Sequence, residues 1–250
     1  MHRFFIPEFE PVDRKITLSG PVARQIKTVL RLETNDQINL FDGSGSEWLA
    51  EIERVGKAGV YLTLKSDVSP VPEPIAQITM LLGLARPERI EFAIQKCTEL
   101  GAVRFVPVIS ERVQRGNKAT PSDHRLARWR RIAIEAAEQS GRATVPAVEP
   151  PQALMDAVEG QLRLRPVLCM WEEIADSSLP LKRAIQSHKR HTTELATLIG
   201  PPGGFSHNEA SAIQKAGADL VTLGPRVLRT ETAAVTTIST ILYELGDLGG

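Results

Sequence analysis

Up to about Val68 the chain alternates short apolar runs with turn residues. Gln37–Phe41 (QINLF) and Glu47–Ile52 (EWLAEI) flank Asp42-Gly43-Ser44-Gly45, the composition of a hairpin connection, and Gly59–Leu64 (GVYLTL) alternates toward Ser66. Short runs of this kind predict strands, with one helical stretch at Val22–Leu30. A small β-barrel or sheet accommodates them. Ser69–Pro74 (SPVPEP) then places three prolines in six residues. Proline continues neither a helix nor a central strand, so this segment reads as a stiff linker and a domain boundary.

Beyond the linker, strand and helix patterns alternate. Ile78–Ala85 is an apolar strand, and Pro87 suits the first turn of a helix. In that helix Ile90, Ile94, Cys97 and Leu100 recur at helical spacing until Gly101. Val103–Ile109 is a second strand. Ser122 and Asp123 cap a helix that carries Leu126, Trp129, Ala133 and Ala136 on one face and ends at Gly141. Val167–Trp171, Leu195–Ile199 and Leu220–Leu223 are further buried strands. Ser206 to Glu209 is a capping box opening a helix that ends at Gly217, and Thr230 precedes a last helix through Leu245. Such alternation predicts an α/β fold with a mostly parallel sheet covered on both faces. There is no internal repeat and no low-complexity tract.

Composition narrows the class without naming a function. The 250 residues are 42% hydrophobic and 24% charged, which is ordinary for a globular protein. No apolar run reaches the roughly 18 residues of a membrane helix, and MHRFFIPEFE lacks the apolar core of a secretory signal. Cys97 and Cys169 sit far apart in apolar patterns, as buried thiols of a reducing cytoplasm do. Lys plus Arg equals Asp plus Glu at 30 each, but the distribution is uneven. Residues 86–142 carry twelve basic against seven acidic residues, consistent with a phosphate-contacting face.

In open parallel sheets, ligands bind in loops beyond the carboxyl ends of strands. Two such loops carry unusual chemistry. Gly200-Pro201-Pro202-Gly203-Gly204 combines glycines that allow close backbone approach with prolines that stiffen the turn. It lacks both the GxGxxG dinucleotide spacing and the Gly-Lys-Ser/Thr of a phosphate loop. Gly224–Thr232 (GPRVLRTET) joins a turn, two arginines and a hydroxyl-carboxylate cluster at a helix N-terminus. Each could be a bare turn or cap on its own. His188 and His191 lie three apart with no third ligand at spacing beside them, so a solvated polar face is expected there, and no metal.

Gln95–Gly101 (QKCTELG), Glu135–Arg142 (EAAEQSGR), Ile199–Ser206 (IGPPGGFS) and Leu223–Ala233 (LGPRVLRTETA), in this order, resemble the ribosomal RNA small subunit methyltransferase E family. Arg3-Phe4-Phe5 and Val29-Leu30-Arg31 match too, so the resemblance spans nearly the whole chain. It implies a PUA-like β-barrel RNA-binding domain at 1–70 and a SPOUT methyltransferase domain at 75–250, the latter with a deep trefoil knot. It also implies a cytoplasmic homodimer that uses S-adenosyl-L-methionine to methylate N3 of one uridine in 16S rRNA of the small ribosomal subunit.

The same resemblance assigns residues. Leu198, Ile199, Gly200, Pro201, Gly203 and Gly204 form one cofactor loop, and Leu223, Gly224, Val227, Leu228, Thr230, Thr232 and Ala233 a second. Strand-end Met170, Trp171 and Glu172 supply a third. Uridine N3 is a poor nucleophile until its proton leaves, so Arg229 is expected to stabilise the anion and Glu231 to orient Arg229. Arg3, Arg31, Arg112 and Arg142 are the RNA candidates, because a guanidinium forks onto phosphate and stacks on bases.

Two departures from the family pattern stand out. Pro202 occupies a position where the family usually has Glu, removing a carboxylate and a backbone N–H. Arg86-Pro87-Glu88 stands where a Lys-Gly-Asp-like turn is common. The competing readings are a non-catalytic RNA-binding protein with an empty pocket and a nucleotide-dependent oxidoreductase, the second weakened by the missing fingerprint glycines.

Overall fold

A computed structural model describes residues 1–7, 11, 13–113, 122–173 and 178–249. The chain divides into two compact units, Met1–Glu73 with Ala137–Val145, and Pro74–Ala136 with Pro146–Gly250. The division follows Ser69–Pro74, and a segment from the middle of the sequence belongs to the first unit.

The first unit is a five-stranded sheet of β1 (His2–Phe5), β2 (Lys15–Leu18), β3 (Gln37–Phe41), β4 (Glu47–Val55) and β5 (Val60–Val68), in the order β1-β3-β4-β5-β2. Only β1 and β3 pair in parallel. Alternate residues Ile38, Leu40, Ile52 and Leu62 point into a core with Phe4 and Ile26. The helical stretch at Val22–Leu30 is split: α1 (Gly20–Arg24) runs into a π-helical turn, Gln25–Val29, and ends at Arg31 with φ 54°.

The second unit holds an all-parallel sheet. Its strands are β6 (Gln77–Gly83), β7 (Arg104–Ile109), β8 (Ala147–Val148), β9 (Gln152–Ala153), β10 (Val167–Met170), β11 (Leu179–Pro180), β12 (Glu194–Ile199) and β13 (Asp219–Thr222). The order is β11-β13-β10-β12-β6-β7-β8, with β9 beside β7. The helices are α2 (Pro87–Leu100), α3 (Asp123–Ser140), α4 (Leu154–Leu162), α5 (Leu181–His188), α6 (His207–Lys215) and α7 (Thr230–Leu245).

Both sheet faces are covered, because strand residues alternate sides. Ile78, Met80 and Leu82 pack with α2, α3, α5 and α7 through Ile90, Ile94, Trp129, Ile185 and Ile238. Leu81, Val106, Val108 and Cys169 pack with α4 and α6 through Val158 and Ile213. Burial removes the Cys97 and Cys169 thiolates from water and pushes both thiol pKa values far up, Glu172 and Glu209 adding to the effect at Cys169.

Helix ends follow local chemistry. α2 starts on Pro87 and stops at Gly101 with φ 107°, and α7 stops the same way at Gly246. At α6 the Ser206 hydroxyl accepts from the Glu209 N–H, while the Glu209 carboxylate accepts from the Ser206 N–H. No described helix is long and apolar enough to cross a membrane.

Candidate functional site

β13, β10 and β12 are adjacent, so the loops leaving their carboxyl ends open side by side. They begin at Leu223, Trp171 and Gly200 and enclose a cleft of about 440 Å³. The 200–204 loop is held from four sides. The Thr230 hydroxyl, at the first residue of α7, donates to the Gly200 carbonyl at 3.0 Å. The end of β6 presses on it from beneath: a Cβ added to Gly83 would lie 2.5 Å from the Pro201 nitrogen. Arg112 donates from Nη1 to the Gly203 carbonyl at 3.2 Å. The buried Phe205 ring packs beneath Gly200.

Gly204 is the tightest position. Its φ is 64°, and a Cβ there would fall 1.8 Å from Oε1 of Glu172. The positive φ favours glycine, and the Glu172 carboxylate, the end of a flexible side chain, lies against the loop in the space a Cβ would take. Below the loop, the buried Glu209 carboxylate also accepts from the Glu111 N–H at 2.8 Å, and the Ser206 hydroxyl donates to Glu111 at 2.9 Å. The end of the 200–204 turn is therefore tied to the segment after β7 by charge-assisted hydrogen bonds.

The cleft has two characters. Met170, Ile199, Leu223, Val227, Leu228 and Ala233 give it apolar surface, with Val227 79% exposed. Glu172, Arg226, Arg229 and the backbone of residues 200–204 and 224 give it polar groups. Trp171 is buried at its edge and meets His207 edge-on at 5.9 Å, and His207 pairs with Glu173 at 2.7 Å.

Most residues expected around a cofactor line this one cleft. Leu198 and Thr232 do not: Leu198 is buried in the core beneath α4 and α6, and Thr232 faces solvent. Pro202, Arg226 and Arg89 line it as well, although the sequence does not mark them as ligands. Arg89 lies on the first turn of α2 and meets Glu231, its Nε 3.8 Å from Oε2. The expected Glu231–Arg229 pair gives way to a Glu231–Arg89 pair, leaving Arg229 exposed at the rim. The only sequence hint of Arg89 is its place beside Arg86-Pro87-Glu88, three residues into a helix whose start faces the cleft.

The RNA candidates separate. Arg31 and Arg112 are exposed. Arg3 forks onto Glu47, with Nη2 2.6 Å from Oε2, and also donates to the carbonyls of Ala137, Glu138 and Arg142. Arg142 is 5% exposed and pairs with Glu73 at 2.7 Å. The expectation of a phosphate contact at Arg3 and Arg142 is corrected here: both guanidiniums are engaged inside the first unit. The basic excess of 86–142 is likewise reduced by pairs, Arg104–Glu149, Arg128–Glu91 and Arg131–Glu135, and residues 114–121 of it lie outside the described residues. His188, expected on a solvated face, is half-buried, and its Nε2 lies 2.7 Å from Asp219.

Comparison with known proteins gives the site a context. The model of an RNA methyltransferase domain matches residues 71–242, and that of an RNA methyltransferase PUA domain matches 18–65. Ribosomal RNA small subunit methyltransferase E from Synechocystis is 30% identical over 96% of this chain and 77% of its own. The crystal structure of a ribosomal RNA small subunit methyltransferase E from Neisseria gonorrhoeae, bound to S-adenosyl methionine, superposes with a TM-score of 0.86 at 32% identity, covering 97% of each chain. A methyltransferase of Legionella pneumophila in complex with the same cofactor gives 0.82 at 32% identity, covering 96% of each.

Proposed function

The chain belongs to the ribosomal RNA small subunit methyltransferase E family, and from that premise we propose that it methylates N3 of one uridine in 16S rRNA. It is an S-adenosyl-L-methionine-dependent ribosomal RNA methyltransferase with a PUA domain at its N-terminus. The observation that carries the proposal is the closure of three loops from adjacent strands on one mixed apolar and polar cleft.

The cleft suits this cofactor in size and chemistry. Leu223, Val227, Leu228 and Ala233 offer apolar surface for the adenine, and the backbone of residues 200–204 and 223–228 offers groups for base and ribose. Glu172, laid against Gly204, is a carboxylate placed for an ammonium or a diol. Pro202 supplies neither carboxylate nor N–H, so that loop binds through its other backbone groups.

When bound, the sulfonium supplies an electrophilic methyl group; the protein binds, orients and excludes water. Uridine N3 must lose its proton before it attacks, and the base left behind is an anion. Arg229, exposed at the rim and free of Glu231, is the cation placed to stabilise that anion. Arg89, across from the first turn of α7, approaches Glu231 at 3.8 Å and draws this carboxylate toward α2 rather than toward Arg229. Arg31 and Arg112 remain the phosphate contacts of this reading.

We further propose that the working unit is a cytoplasmic homodimer acting on 16S rRNA, with 1–70 docking the RNA and 75–250 carrying the chemistry through a trefoil-knotted C-terminal chain. Calorimetric titration with S-adenosyl-L-methionine tests the cofactor cleft: saturable binding at one site per chain supports it, and no heat of binding points to a non-catalytic RNA-binding protein.

A further inference from the structure

The cofactor cleft occupies the carboxyl ends of β13, β10 and β12. Their amino ends carry a different chemistry. The chain enters these strands through three turns, 163–166 after α4, 189–193 after α5 and 216–218 after α6. A second cavity of about 360 Å³ lies among them, lined by Arg163, Leu164, Arg165, His188, Gly217 and Asp219 among others. It is about 20 Å from the cofactor loops, the length of the six-residue β12.

The sequence loads these turns, and the last residue of α6 before one of them, with cations. Arg163, Lys189, Arg190 and Lys215 are all exposed, and among the described residues none of the four is in an ion pair. On α2 and α3, by comparison, Lys96, Arg128 and Arg131 have carboxylate partners, and the exposed Arg130 donates to the Val148 carbonyl. The acids at the strand starts are already engaged, Glu194 by Arg165 at 3.2 Å and Asp219 by His188 at 2.7 Å. Leu164, between the two arginines, is 67% exposed.

Arg163 lines the cavity, Lys189 and Arg190 directly follow its lining residue His188, and Lys215 lies two residues before its lining residue Gly217. Cations spread along three chain segments in this way, with an apolar rim residue, fit an extended polyanion with stackable bases better than a compact ligand. We propose that this amino-terminal edge of the sheet is a second RNA-contacting surface, which grips the phosphate backbone of the substrate rRNA away from the target base. Its role is affinity and orientation: phosphate contacts position, while the chemistry stays in the cofactor cleft. The proposal rests on the rRNA methyltransferase reading.

The test uses full-length protein and purified 16S rRNA, with binding measured over a range of salt. Arg163→Gln, Lys189→Gln, Arg190→Gln and Lys215→Gln are combined in one variant, beside a charge-keeping variant with Lys and Arg exchanged at the same positions. All four side chains are exposed, so S-adenosyl-L-methionine affinity reports whether the fold survives. The neutral variant is expected to bind RNA at least ten-fold more weakly near 0.1 M salt. Its log K against log salt should be shallower by about 0.7 for each phosphate of single-stranded RNA that it no longer neutralises. Cofactor affinity stays unchanged, and the charge-keeping variant behaves like wild type. If the neutral variant keeps wild-type RNA affinity and salt slope while wild type methylates rRNA, this proposal falls and the methyltransferase reading stands. If wild type neither binds nor methylates rRNA, both fall.

Discussion

The Thr230 hydroxyl donates a 3.0 Å hydrogen bond to the carbonyl of Gly200, thirty residues earlier, joining the first residue of the last helix to the glycine-rich loop. A threonine at a helix start usually caps that helix with its own oxygen. Here Arg229 holds the N-cap position without a side-chain cap, and Thr230 is spent on the neighbouring loop. Two stretches that read as separate turns are thereby one wall of one cleft.

Thr230→Val keeps the shape and deletes the donor. A carbonyl that loses its partner costs about 1–3 kcal/mol. Calorimetry is expected to show S-adenosyl-L-methionine binding weakened roughly five- to thirty-fold, the lower part of that cost. Thr230→Ser should restore most of it. Equal affinity in Thr230→Val and wild type would show that the bond does not shape the cleft.

Gly204→Ala places a methyl group where the Glu172 carboxylate lies and forces alanine to φ 64°. Cofactor binding is expected to weaken, since alanine is strained at this φ and the Glu172 carboxylate must move aside, while the thermal midpoint falls by only a few degrees, because the loop is on the surface of the fold. Pairing Gly204→Ala with Glu172→Ala removes the clash and should recover part of the loop's order, seen as protection from limited proteolysis.

Arg229→Ala is expected to slow methyl transfer about 100-fold in single-turnover assays with saturating RNA and cofactor, with cofactor affinity unchanged. Arg229→Lys should restore only part of the rate, since a point charge replaces a planar fork. Normal single-turnover methylation by Arg229→Ala would contradict the stabilising role. Arg89→Ala, which frees Glu231, should lower the rate by a smaller factor.

Arg142→Ala leaves the Glu73 carboxylate in a half-buried place without its cation. Urea unfolding should show a loss on the order of 3 kcal/mol, with RNA binding by the remaining folded protein little changed. A variant of wild-type stability with weakened RNA binding would return Arg142 to the role that the sequence suggests.

Cys97 and Cys169 are fully buried, and their thiols are held protonated by desolvation. A thiol pKa raised in the fold means that the reactive thiolate is scarce at every ordinary pH. Neutral iodoacetamide should leave both unmodified in native protein and label both in denaturant. Labelling of native protein near neutral pH would show that the core opens, beside α2 if at Cys97 and beside β10 if at Cys169.

Much of this architecture is legible in the residues, and the exceptions have causes. Ser206 and Glu209 announce α6 because a capping box is local chemistry, and Pro87 and Gly101 bracket α2 for the same reason. α4 and α5 escape notice: both are short, and neither has a side-chain cap at its start. β8, β9 and β11 have two residues each, too few to show a period. The glycine-rich and arginine-bearing loops are legible as chemistry, but their partners are not. Arg89 meets Glu231 across more than a hundred residues, and no spacing rule reaches that far. Arg3 and Arg142 show the converse: a guanidinium reads the same in sequence whether it faces phosphate or Glu47 and Glu73.

Base-resolved mapping of 16S rRNA tests methyl transfer to uridine N3 most directly. rRNA from cells lacking this gene, incubated with the protein and isotope-labelled S-adenosyl-L-methionine, should gain one labelled methyl group, at N3 of a single uridine. Rates should rise with pH until the N3 proton is lost. Label at another atom or base, or no label with cofactor bound and RNA intact, would contradict the account.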